Sequence, residues 1–121
     1  MYINLESKDH HTIEAYSDHE IRINSLVYSQ NLIISSTEII TDWPIKTIVQ
    51  LTEERLSPLL GQHPTIILIG HNETTLFAPP ATRENLAKQN IALECMRIGP
   101  ACRTFNVLLS ERRNVVLGII F

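Results

Sequence analysis

"MRIGPACRTFNVLLSERR", residues 96–113, is the stretch whose reading decides the fold. It lies between two apolar runs, "IALECM" (91–96) and "NVVLGIIF" (114–121). Ala101, Phe105, Leu108 and Leu109, joined by Cys102, recur at helical spacing and predict a helix with one core-facing stripe. Pro100 suits the first helical position, where a missing N–H costs nothing. Strand, helix and strand in succession predict a βαβ unit, and hence a largely parallel or mixed sheet.

Working outward, "TIILIG" (65–70) reads as another buried strand, closed by glycine. "HNETTLFAPPA" (71–81) reads as a loop and "TRENLAKQN" (82–90) as a short helix with Thr82 as its N-cap. Further upstream, Thr52 is a candidate N-cap, with Glu53 and Glu54 in the first turn where acidic charge suits the helix dipole. Leu56, Leu59 and Leu60 form its apolar stripe and Gly61 ends it. Pro58 does not fit a helix interior, so the helix restarts at Ser57-Pro58.

The N-terminal third changes period. Ile13 and Ala15 alternate with Glu14 and Tyr16, and Ile21 and Ile23 with Arg22 and Asn24. "SLVYSQNLIISS" (25–36) and "EIITDW" (38–43) follow, with Gln30-Asn31 and Ser35-Ser36 as turns. This is the signal of antiparallel hairpins. The expected architecture is a polar tail over 1–11 and a single three-layer α/β domain over 12–121. That domain has a central mixed sheet with helices, plus N-terminal antiparallel hairpins.

Composition narrows the function. The 121 residues are 44% hydrophobic and 19% charged, as in an ordinary folded domain that needs no disulfide or metal staple. A net charge of −3 argues against a general nucleic-acid binder. No apolar run approaches the roughly 20 residues of a membrane span. The N-terminus lacks a signal-peptide layout and carries Glu6 and Asp9, so a cytoplasmic location is expected. Cys95 and Cys102 have no zinc-ribbon spacing, and His10, His11 and His19 match no metal motif. No GxGxxG, Walker, HExxH or GxSxG pattern occurs, and neither a cofactor nor a metal site is expected.

In open α/β sheets, ligands bind beyond the carboxyl ends of the parallel strands. Two loops leave such ends here, Gly70-His71-Asn72 and Arg97-Ile98-Gly99-Pro100. The amides beyond Pro100 suit an anion. Arg103, Asn106, Ser110 and Arg113 share a second helix face, which places Arg103 and Asn106 over this crevice. The candidate site is therefore Gly70, His71, Asn72, Arg97, Arg103, Thr104 and Asn106. Arg103 would supply fixed charge, and Thr104 and Asn106 would orient a ligand. The plain alternative pairs Arg103 with Glu94 or Glu111 and lets Asn106 bond a loop backbone. Cys102, activated by a helix N-terminus and served by His71, is the enzymatic alternative; on an apolar stripe it reads as a core residue, and so does Cys95.

"TIILIG", "NIALECM", "GPACRTFNVLLSERRNVVLGIIF" and the upstream "DW" resemble a family of small α/β proteins of largely unassigned biochemistry that includes mitochondrial complex I assembly factor 3. The resemblance runs from Thr12 to Phe121. It is most specific at Met96, Ala101 to Asn106, Glu111, Arg113 and the strand from Val115, with Trp43 and Gly70 matching upstream. The chain departs from the pattern at His71-Asn72, Arg97-Ile98 and Pro100, all at the crevice. The resemblance implies a three-layer fold with a mixed sheet, and a non-catalytic role in assembling a membrane-bound respiratory complex. The expected functions, in order, are an interaction module with a protein partner, a binder of a small anion between loops 70–72 and 97–100, and an enzyme using Cys102. Peripheral membrane association would run through the partner, and an exposed sheet edge would let two copies pair.

Overall fold

The computed structural model describes residues 11–121. Two apolar runs form the middle of its larger sheet. Strand β6 (Ile66–His71) is buried over its last five residues, and β8 (Val115–Ile119) over all five. They pair in parallel, as expected for strands covered on both faces. Strand β7 (Ala92–Arg97) adds in parallel on the other side of β6. The hairpin of β4 (Leu32–Ile34) and β5 (Ile39–Thr41) joins β8 antiparallel, giving the order β5-β4-β8-β6-β7. The sheet is mixed, and the closing apolar strand is its centre.

A second sheet comprises β1 (Ile13–Tyr16), β2 (Ile21–Ile23) and β3 (Leu26–Tyr28), all antiparallel. Asn24 and Ser25 take φ of 51° and 68° and make the two-residue β2–β3 turn. The tail expected over residues 1–11 lies outside the described residues except at His11. That residue is tied down: its amide donates to Ser36 O and its Nδ1 to Ser35 O.

The helices are α1 (Ser57–Leu60), α2 (Pro80–Ala87) and α3 (Ile98–Ser110). The first begins at Ser57-Pro58, where proline fits an N-terminal turn. The second starts two residues before the expected Thr82, because Pro79-Pro80 sets the helix start and leaves Thr82 buried in the first turn. The third starts at Ile98 rather than Pro100. A proline costs no hydrogen bond anywhere among the first four N–H groups, so it does not mark the first residue uniquely. The buried face of α3 is Ile98, Ala101, Cys102, Phe105 and Leu109, the amphipathic spacing of a core helix.

These elements form three layers. One face of the large sheet gives Leu68, Leu117 and Ile119 to a core shared with α3 and with Ile13, Ile21 and Ile23 of the small sheet. The other gives Ile67, Ile69 and Val116 to a core with Trp43, Ile48, Leu59 and Leu86. Trp43 packs against β8 at Gly118, where a Cβ would sit 2.7 Å from the ring. Its Nε1 donates to Arg55 O at 2.9 Å.

Candidate functional site

The residues of "ACRTFN" meet the small sheet, not a crevice mouth. Strand β1 pairs with β2 on one side only, so its outer edge presents unpaired backbone groups. Asn106 answers both at once. Its Oδ1 accepts from Ile13 N at 3.0 Å and its Nδ2 donates to Ile13 O at 2.9 Å. One turn earlier, Arg103 donates to Tyr16 Oη at 2.7 Å and lies over the same ring, 5.8 Å from its centroid. Its partner is thus neither Glu94 nor Glu111. Thr104 donates to the Met96 sulfur at 3.8 Å. The backbone that Asn106 bonds belongs to a strand, because the hairpin sheet packs on the α3 side.

Gly70 is a packing residue. A Cβ there would stand 3.0 Å from Ala101 Cβ and 3.3 Å from Ile98 Cα, so its hydrogen lets the first turn of α3 rest on the strand. Asn72 and Arg97 converge on the β1–β2 turn. Asn72 Nδ2 donates to Asp18 O at 3.0 Å, and the Arg97 guanidinium faces the Asp18 carboxylate at 3.6 Å. The Tyr16 ring covers Gly99, 3.1 Å from where a Cβ would lie. The two predicted loops do converge, since β6 and β7 are neighbours, and the β1–β2 turn lies across them.

His71 is separated from this corner by strand alternation. Gly70 faces α3, so the next side chain faces the opposite core. There His71, 7% exposed, lines a cavity of about 440 Å³ between β6, β7 and the start of α2. Its Nδ1 accepts from Glu73 N at 3.0 Å, which leaves the ring proton on Nε2. Burial lowers its pKa; Glu73 opposes that shift and Arg97 adds to it, so the ring is neutral at pH 7. Cys95, half-buried against the second core, also lines the cavity. Burial raises its pKa, partly offset by Arg83. Arg83 also caps the edge strand by donating to Leu93 O.

The 72–79 loop forms the outer wall. Glu73 and Glu84 line the cavity, and neither has a cation within 4.0 Å among the described residues. Phe77 is 79% exposed and Leu76 40%, two apolar side chains projecting from a polar loop. Residue-by-residue reading missed this place. The signal was present in the alternation of "TIILIGH", which puts His71 on the Ile67 and Ile69 face, and in the "LF" pair of an otherwise polar loop.

Cys102 lacks the exposure and the lowered pKa of an activated thiol. It is fully buried, and burial pushes its thiol up to about 12 against the smaller pull of Arg103. His71 lies on the other face of the sheet and cannot act as its base.

A mixed five-stranded sheet, with α3 and a hairpin sheet on one face and two short helices on the other, defines a small α/β protein of the Mth938-like fold. The chain belongs to the family described as "Protein of unknown function (DUF498/DUF598)", which it matches over residues 13–120. It is 34% identical over 94 residues to the "13 kDa major membrane protein" of Francisella tularensis, covering 77% of this chain and 76% of that one. A Xanthomonas campestris protein solved by NMR superposes with a TM-score of 0.83 at 30% identity, covering 99% of this chain and 92% of its own. An outer membrane protein from Bartonella henselae superposes with a TM-score of 0.75 at 28% identity, covering 92% and 94%. Among the described residues, no helix is long and apolar enough to cross a membrane.

Proposed function

We propose that this protein is a non-catalytic interaction module. It engages a protein partner with the 72–79 loop and the cavity beneath it, and through that partner it assists assembly of a membrane-bound complex. The observation that carries the reading is Phe77, 79% exposed beside a concave site. An aromatic side chain held in water next to a pocket gains most from burial against a partner. The chemistry of the thiols supports a non-catalytic role, since burial raises both Cys95 and Cys102. The membrane-protein names of the Francisella and Bartonella relatives support a partner at a membrane. The resemblance to the family of complex I assembly factor 3 favours an assembly role.

The test is a quantitative pull-down from gently solubilised native membranes, comparing wild type with Phe77→Ala. Subunits of one membrane complex should enrich with wild type and fade with the variant. Equal recovery by both proteins would remove the loop from the interface, and recovery by neither would remove the docking reading.

A second reading is favoured by the convergence of Asn72 and Arg97 on Asp18. There a small anion replaces the Asp18 carboxylate at Arg97, between the Gly70-His71-Asn72 and Arg97-to-Pro100 loops, with Arg103 beside it and Thr104 and Asn106 bracing the helix. Phosphate should then raise the melting temperature of Asp18→Asn and not that of Asp18→Asn/Arg97→Ala. No shift in the single variant rejects it.

A further inference from the structure

Resting on the docking reading above, we infer the chemistry of the partner: the cavity receives a basic amphipathic segment. One apolar side chain of that segment seats against Ile48, Leu76 and Phe77, and a neighbouring lysine or arginine meets Glu73 and Glu84.

The charges around the cavity support this choice. Glu73 and Glu84 have no cationic partner among the described residues. Arg83, the cation that lines the cavity, is committed elsewhere. It donates to Leu93 O and acts on the Cys95 thiol, so neither carboxylate is neutralised by a contact. His71 adds no charge at neutral pH because burial disfavours its protonated form. The cavity therefore carries one net negative charge, with its uncommitted groups both acidic.

Ile48, Leu76, Phe77, Ala78 and Pro80 give the lining its apolar part, and the exposed Phe77 ring is one that a cation can also use. A neutral or acidic segment would leave the two carboxylates unpaired or repelled on docking. The same pattern weighs against the loop acting as a wedge into an anionic bilayer. Leu76 and Phe77 are apolar enough to insert, but the acidic pair behind them would face lipid phosphates.

The test uses the full chain and probes of defined chemistry. Amide NMR spectra are recorded on adding an amphipathic leucine/lysine peptide, a leucine/glutamate peptide of the same length, or phosphatidylcholine vesicles containing phosphatidylglycerol. The leucine/lysine peptide should shift His71, Phe77 and Cys95 saturably. Its affinity should fall about ten-fold in Glu73→Gln/Glu84→Gln, and by a similar factor on raising salt to about 0.5 M. Both substitutions keep side-chain shape, so unchanged spectra away from the loop verify the fold.

Equal binding of the two peptides at the cavity overturns the charge assignment while leaving the docking reading intact. A leucine/lysine peptide that shifts other surfaces, or none, overturns the inference. So do vesicles that shift Phe77 when the peptide does not. Loss of the docking reading itself is read separately, from a pull-down that recovers nothing.

Discussion

Replacing Asn106 with alanine removes both hydrogen bonds that hold the outer edge of β1, at 3.0 and 2.9 Å. Ile13 is only 4% exposed, so water has little access to the two backbone groups left behind. Each orphaned group costs about 1–3 kcal/mol when shielded, and less if the edge frays enough to admit water. The sum is about 2–4 kcal/mol. At about 4 °C per kcal/mol for a domain of this size, Tm should fall by about 8–15 °C. Urea unfolding followed by Trp43, the one tryptophan and a buried one, reads the change as a shift in midpoint at constant slope. Asn106→Asp sharpens the test. It keeps an acceptor for Ile13 N–H but sets a carboxylate oxygen against Ile13 C=O, so it should not rescue stability at pH 7. A loss below about 0.5 kcal/mol for Asn106→Ala would refute the reasoning, because β1 would then be held by its pairing with β2 and by packing, not by the Asn106 bonds.

Other substitutions test other parts of the fold. Gly118→Ala places a methyl group 2.7 Å from the Trp43 ring and should cost about 1–3 kcal/mol, with a red-shifted tryptophan emission. Arg112 follows α3 with φ of 61°, where Arg113 N donates to Leu108 O and Arg112 N to Leu109 O. Glycine is preferred at that helix-end position, so Arg112→Gly should raise the urea midpoint by the equivalent of about 1 kcal/mol. The Cys102 thiol, raised by burial to about 12 in the folded state from an ordinary value of 9.0, favours folding fully below pH 9.0. From there upward the unfolded chain releases the proton first. Stability should fall with rising pH by up to about 1.4 kcal/mol per unit until the folded thiol also titrates, and Cys102→Ala should remove that part of the slope. In the native state at pH 8, iodoacetamide should modify Cys95 before Cys102 by mass spectrometry.

How much was legible differs by element. The stripe of α3 and the apolar strands on either side of it were plain, because helical and strand periods are local properties of the chain. The hairpins of the N-terminal third were equally visible, although the Asn24-Ser25 turn was not, since serine is a weak marker of positive φ. The starts of α2 and α3 were misplaced by two residues. Proline is compatible with several first-turn positions and so indicates a helix start without fixing it.

The candidate site was harder. Arg103 and Asn106 were recognised as unusual, but their partners Tyr16 and Ile13 lie 87 and 93 residues away. Which surface they meet depends on where the small sheet docks, and no local pattern states that. The anion crevice was inferred by grouping Gly70, His71 and Asn72 as one loop. In a strand, consecutive side chains point to opposite faces, so Gly70 packs under α3 while His71 enters the cavity on the α2 side. Cys95 was assigned to the core because its neighbours are apolar. It does pack against the second core, but from the edge strand β7, where it also lines the cavity.

Photo-crosslinking in intact cells distinguishes docking through the 72–79 loop from docking through another face. A photoreactive amino acid is placed singly at position 77, at Leu26 on the edge of the small sheet, and at Val107 on the outer face of α3, three exposed apolar sites. Docking through the loop should give a discrete adduct with a membrane-complex subunit from position 77 and none of comparable yield from the other two. A discrete adduct from Leu26 or Val107, with none from position 77, would contradict it and move the interface to another face of the fold.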